Sequence, residues 1–211
     1  MWTIGTTSGS AQVKLNALGL LTEPVGSSSD HIRMPAVYAV VDIANSTSDA
    51  QVKIRALGTL REPLEADQVP IRDVAVDAVN WIAGRGAGPG VALAAVSTLV
   101  PPVRSGNNGV RIPAINALVR AVESGRDDRA CQAALDVLTA PLESEALIGG
   151  LEVRMMAVWA VERVGMAATE VGAKAKAMGL LQSYAAKGSW EPEARARAQQ
   201  GAAAIENSLR R

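Results

Sequence analysis

One residue type recurs at one place in ten successive segments, and that recurrence constrains the fold more than any other feature. Ala17, Ala36, Ala56, Ala75, Ala95, Ala114, Ala134, Ala157, Ala177 and Ala198 each stand four residues after the start of a matched segment. The starting residues are apolar or small: Val13, Ile32, Val52, Ile71, Val91, Val110, Ala130, Val153, Ala173 and Ala194. One position beyond the alanines runs a branched column, Leu18, Val37, Leu57, Val76, Val96, Ile115, Leu135 and Val158, continued by Met178 and broken by Gln199. Three positions further lie Leu21, Val40, Leu60, Val79, Leu99, Leu118, Leu138, Val161, Leu181 and Ala202. Offsets of four, five and eight fall on one face of a helix. Alanine on that face lets neighbouring axes approach, and the branched side chains fill what remains.

The segments alternate in two series. Gln12-Val13-Lys14-Leu15-Asn16-Ala17-Leu18-Gly19 returns as Gln51-Val52-Lys53-Ile54-Arg55-Ala56-Leu57-Gly58, 39 residues later. Ile32-Arg33-Met34-Pro35-Ala36-Val37, Ile71-Arg72-Asp73-Val74-Ala75-Val76 and Val110-Arg111-Ile112-Pro113-Ala114-Ile115 repeat at the same 39-residue interval. A fixed period of this length is the mark of a repeat architecture. Two helices per unit give an all-α, right-handed α-α superhelix of about ten helices in five hairpins. We place them at residues 10–22, 31–44, 50–61, 70–83, 90–100, 110–123, 128–139, 151–164, 169–186 and 191–209, with residues 1–9 as an N-terminal extension and 10–211 as one solenoid domain.

Pro24, Pro63, Pro102 and Pro141 follow the odd helices at the same spacing. A proline there has no amide hydrogen to continue a helix, so we expect each to stop it. Pro35 and Pro113 are expected in a first turn, where proline is tolerated. The interval from Val110 to Val153 is 43 residues, which predicts an irregularity around residues 142–150. The last helix is more polar, as befits a terminal cap.

The stretch Asp49-Ala50-Gln51-Val52-Lys53-Ile54-Arg55-Ala56-Leu57-Gly58-Thr59-Leu60 resembles the second-helix signature of HEAT repeats. Weaker versions start at Ile32-Arg33 and Val153-Arg154, and the resemblance covers residues 11–209 as five pairs. It implies a HEAT-like or armadillo-like superhelix, a fold that commonly serves as a scaffold or peptide-binding surface. Here both helices of each unit carry the Val-basic-x-x-Ala pattern, so the resemblance does not single out the concave row.

Chemistry-bearing residues are sparse. Cys131 is the only cysteine, which excludes an intrachain disulfide and suits a reducing compartment, so the chain is expected in the cytoplasm. Residues 1–10 lack the basic region and apolar core of a secretion signal, and no run is apolar enough for a membrane span. His31 is the sole histidine, and no second ligand completes a metal site. Neither a metal nor a cofactor is expected, and no residue is assigned a catalytic role. Ser27-Ser28-Ser29-Asp30-His31 is a turn, since adjacency does not build a nucleophile, base and oxyanion donor. The loop from Gly84 to Gly90 lacks the Lys-Ser/Thr that ends a phosphate loop.

The basic column Lys14, Arg33, Lys53, Arg72, Arg111, Arg154, Lys174 and Arg195 is expected to lay its stems on apolar surface and pair its charges with turn acids such as Asp30, Asp49 and Asp128. Residues 1–172 carry 14 Lys and Arg against 18 Asp and Glu, whereas residues 173–211 carry seven against three. Lys174, Lys176, Arg195 and Arg197 are therefore a candidate patch for an acidic partner. A net charge of zero does not carry the signature of a nucleic-acid binder.

The leading expectation is noncatalytic protein or peptide binding on the even-helix surface by Tyr38, Asp77, Asn116 and Trp159, which share the column six positions after the segment starts. Burial of these residues between hairpins would oppose it. The alternative is an accessory or lyase-like repeat protein acting on a small ligand or chromophore, similar to repeat-containing chromophore lyases. A deep pocket around clustered acids and Trp81 or Trp159 would favour that alternative; a shallow face would count against it. A lesion-binding helical-repeat protein rests on fold analogy alone.

Overall fold

The computed structural model describes residues 9–84, 88–143, 150–187 and 191–210, and every regular element among them is helical. In chain order these are α1 (Ala11–Val25), α2 (Asp30–Asn45), α3 (Ala50–Thr59), α4 (Arg61–Glu65), α5 (Val69–Ala83) and α6 (Pro89–Thr98). There follow α7 (Val100–Val103), α8 (Asn108–Gly125), α9 (Asp128–Leu142), α10 (Gly150–Ala167), α11 (Val171–Ala186) and α12 (Pro192–Leu209). Each long helix packs on its sequence neighbour and on the corresponding helix one repeat away. An odd row, α1, α3, α6, α9 and α11, thus lies against an even row, α2, α5, α8, α10 and α12. The result is a right-handed, HEAT- or armadillo-like α-solenoid.

The core is the seam between the rows. Every alanine of the recurring column from Ala36 to Ala198 is buried, and so are its branched neighbours from Leu18 to Val158. The first member, Ala17, is half-buried. Small side chains also line the even row one position beyond the proposed binding column: Ala39, Ala78, Ala117, Ala160 and Gly201 are all buried.

Prolines act differently from the expectation. In the second and third repeats the helix breaks three residues before the proline and then resumes for about a turn as α4 and α7. Pro63 and Pro102 would each clash with the carbonyl four residues back, on Thr59 and Thr98, the last residues of α3 and α6. Leu60 (φ −82°, ψ −3°) and Leu99 (φ −85°, ψ −3°) adopt nearly the same bent conformation, as a true repeat should. Pro24 and Pro141 instead lie inside the last turns of α1 and α9. Pro35 and Pro113 also lie deeper than a first turn, because α2 and α8 start at Asp30 and Asn108. Of the irregularity expected at residues 142–150, positions 144–149 lie outside the described residues.

Asp49, Asn107 and Asp127 cap helices, and the turn acid Glu191 also pairs with Arg154 of the basic column. Asp49 accepts from the Gln51 and Val52 amides at 2.8 and 3.0 Å, Asn107 from Gly109 at 2.8 Å and Asp127 from Arg129 at 3.0 Å. Asp128 reaches a repeat further, accepting from the Thr169 and Glu170 amides at 2.8 and 3.1 Å and from the Thr169 hydroxyl, at the entry to α11. The basic residues tie repeats together. Lys14 donates to the Ser46 carbonyl at 2.7 Å, at the negative end of the α2 dipole. Arg33 reaches Gln68 at 3.3 Å and Arg154 pairs with Glu191, in both cases the residue that precedes the next even helix.

Two glycines give opposite predictions. A methyl group on Gly165 would stand 2.6 Å from Ile205 Cδ1 and 2.7 Å from Ala177 Cβ, whereas nothing lies within 4 Å of one on Gly179. Gly165→Ala is expected to lower the thermal midpoint, an overpacking loss of ~1–3 kcal/mol. Gly179→Ala should raise it, by up to ~1 kcal/mol of helix propensity. Asp128 supplies a pH test. Burial raises its carboxyl pKa, but hydrogen bonds from Thr169 and Glu170, with Lys174 nearby, outweigh burial and hold it below the usual value. Its contribution is therefore present above the ordinary carboxylate range and is lost as pH falls through the depressed value. Asp128→Ala should destabilise the chain by ~1 kcal/mol at neutral pH, and the gap from wild type should close in acid.

Candidate binding groove on the even helix row

Helices of the even row present a polar and aromatic ridge away from the seam, because positions three, six and ten after each segment start share one helical face. Tyr38 is 53% exposed. Asp77 is exposed, and Asn116 and Trp159 are half-buried. None of the four expected binding residues is buried between hairpins. Trp159 also packs on the core, so its ring closes the seam as well as facing the ridge.

Between α2 and α5 this ridge opens into a cavity of about 250 Å³ lined by Tyr38, Val41, Asp42, Val74, Asp77, Ala78 and Trp81. Two of the expected residues, Tyr38 and Asp77, meet here; Asn116 and Trp159 sit further along the row on α8 and α10. Val41, Val74 and Ala78 contribute an apolar lining, while Asp42 and Asp77 add carboxylates and Tyr38 and Trp81 add rings. Trp81 is 54% exposed, so one of the largest apolar side chains in the protein is turned to solvent. Asp73, one turn before Asp77, adds to the negative field. Burial pushes its carboxyl pKa up, the Asp77 charge pushes the same way, and Arg72 opposes both.

Asp42 and Trp81 were not among the residues assigned to the binding column. Both stand ten positions after their segment starts, one helical turn beyond Tyr38 and Asp77. The pairs Tyr38–Asp42 and Asp77–Trp81 are thus each four residues apart on one face. That second column continues with Arg120 and Arg163, so the row changes sign along its length. Arg163 Nε donates to Glu123 across the α8–α10 junction at 2.6 Å.

The C-terminal cations are largely engaged within the fold. Lys176 pairs with Asp136 at 2.6 Å, Arg197 with Glu162 at 2.5 Å, and Lys174 donates to Ser208 at 3.2 Å. All four residues of the patch, Arg195 included, are half-buried. His31 is exposed at the start of α2, and the Ser29 amide donates to Ser27 Oγ at 3.2 Å, a local turn. No group of three or more His, Cys, Asp or Glu among the described residues could hold a metal ion, and no described helix is long and apolar enough to cross a membrane.

No family model and no curated protein matches the sequence. Solved structures do match in fold. A designed armadillo repeat protein in complex with peptide (KR)4 is similar over 96% of this chain and 89% of its own, at 22% identity and a TM-score of 0.56. A second, from computationally designed armadillo repeat proteins for modular peptide recognition, covers 95% of this chain and 96% of its own, at 19% identity and a TM-score of 0.54. An engineered protein from a structural-genomics consortium covers 98% and 87%, at 20% identity and a TM-score of 0.55.

Cys131, which with Ala92 interrupts the basic column, is fully buried. Burial, then the charges of Asp128 and Asp127, push its thiol up to about 12. The nucleophilic thiolate is therefore scarce near neutral pH. Native protein should resist a thiol-alkylating reagent at neutral pH, and denatured protein should take up one equivalent; mass spectrometry distinguishes the two.

Proposed function

We propose that this chain is a noncatalytic binding scaffold that holds an extended peptide or protein segment along the even helix row, with a basic side chain of that segment between Tyr38 and Trp81. The observation that carries this reading is the composition of the α2–α5 cavity. Two exposed rings attract a cation through their electron-rich faces, and two carboxylates supply its counter-charge. The apolar lining accommodates the aliphatic stem of a lysine or arginine. A similar fold bound to a (KR)4 peptide supports the same choice of partner chemistry. The acidic partner suggested by Lys174, Lys176, Arg195 and Arg197 is less well supported, because acids and a hydroxyl of the fold already engage three of these four. Asn116 and Trp159 extend the contact surface over α8 and α10. A single buried thiol suits the reducing cytoplasm.

The same cavity is the one observation that favours the small-ligand alternative, since it gathers acids around Trp81. Its size weighs against a chromophore: about 250 Å³ is below the roughly 300–1,000 Å³ usual for small-molecule sites, and it suits one side chain.

Titration with a fluorescent (KR)4 peptide tests the proposal. Trp81→Ala and the double change Asp42→Asn with Asp77→Asn should each weaken binding several-fold at unchanged helicity, in line with ~0.5–2 kcal/mol for a cation over a ring. Raising the salt concentration should weaken wild-type binding and flatten the difference for the double variant. Equal affinity of wild type for an acidic peptide, or (KR)4 binding indifferent to both variants, would exclude this pocket as the site.

A further inference from the structure

The polar ridge of the even row carries opposite charge at its two ends. Asp42 and Asp77 are the charged residues that line the α2–α5 cavity, and both are exposed. Further along, the register position of Asp42 and Trp81 is held by Arg120 on α8 and Arg163 on α10, again exposed. Arg163 also borders a hollow of about 530 Å³ at the α8–α10 junction, together with Glu123, Arg126, Met166 and Thr169. Met166 is 47% exposed there. Arg126 ends α8 in the left-handed region at φ 48°, which glycine adopts at less cost.

Glu123 is already engaged, since it accepts from Arg163 Nε at 2.6 Å. Among the described residues, neither Arg120 nor Arg126 forms an ion pair, and both are exposed. With one acid among three guanidinium groups, this junction attracts a carboxylate, for which arginine is the fitting partner. A uniformly basic segment would be drawn to α2–α5 and repelled at α8–α10, because like charges set against each other oppose binding.

We infer that the bound segment is bipolar, with a basic side chain in the α2–α5 cavity and, about five or six residues away along the same extended chain, an aspartate or glutamate against Arg120, Arg126 and Arg163. The spacing follows from the stack: the junctions lie two even-helix steps apart, each of ~8–10 Å, and an extended chain advances ~3.3 Å per residue. The acidic contact rests on the basic-residue site proposed for α2–α5. It adds a fixed register and a chain direction, both of which a run of like charges leaves free.

Anisotropy titration with terminally blocked fluorescent peptides tests the assignment. Each carries a lysine–arginine pair and a glutamate pair, separated by about five serine or glycine residues, in either chain order. Counterparts replace the glutamates with glutamine. In one order the glutamate peptide should bind roughly two- to five-fold more tightly than its counterpart, as befits one or two exposed arginine–carboxylate contacts. The double change Arg120→Gln with Arg126→Gln should remove that preference at unchanged helicity, and so should deletion of the spacer. Equal binding of glutamate and glutamine peptides in both orders, or a preference that survives the double change, overturns the acidic contact. In either case Trp81→Ala should still weaken every peptide if the α2–α5 site is real. Peptides indifferent to Trp81→Ala would strike that site, and the bipolar segment with it.

Discussion

Close approach of helix axes is the condition on which the rest of this structure depends. The chain has no phenylalanine and few large rings, so no single residue fills a broad interior. Contact is made instead by backbones brought near each other over alanine, with valine, leucine and isoleucine interleaved at the next positions. The dispersion gain of such a seam is spread over many small contacts, and enlarging any one of them pushes two helices apart. Gly165 is the extreme case, where even a methyl group has no room beside Ala177 and Ile205.

The polar groups regulate this seam from its edges. Lys14, Arg33 and Arg154 each reach the end of a neighbouring helix, and Asp128 holds the chain that enters α11. Exposed ion pairs add little stability singly. Here they fix how far one helix can slide past the next, a register that alanines alone would specify weakly.

Most of the architecture was legible because its signal is repeated. The alanine column identified the long helices, and the burial of Ala36 through Ala198 follows it directly. Less legible was anything set by a bond between distant residues. Pro63 marked the end of its odd helix, but the break at Leu60 depends on which carbonyl its ring would strike, four residues earlier. Likewise the basic column was visible, but Lys14 could be matched with Ser46 only once the two rows were stacked. In the groove, Tyr38 and Asp77 stood out as one polar column. Asp42 and Trp81 lie in another, and only the packing of α2 against α5 shows that the two columns meet in one cavity.

The pairing of α2 with α5 has a further consequence. Its cavity is made by one helix of each of two successive units, with no contribution from the rest of the stack. Its specificity therefore belongs to a junction between modules and not to the whole protein. Duplication of a 39-residue unit would lengthen the surface by one more junction while leaving existing ones intact. Divergence can then proceed junction by junction, as the change from Asp42 and Trp81 to Arg120 and Arg163 along one column already records.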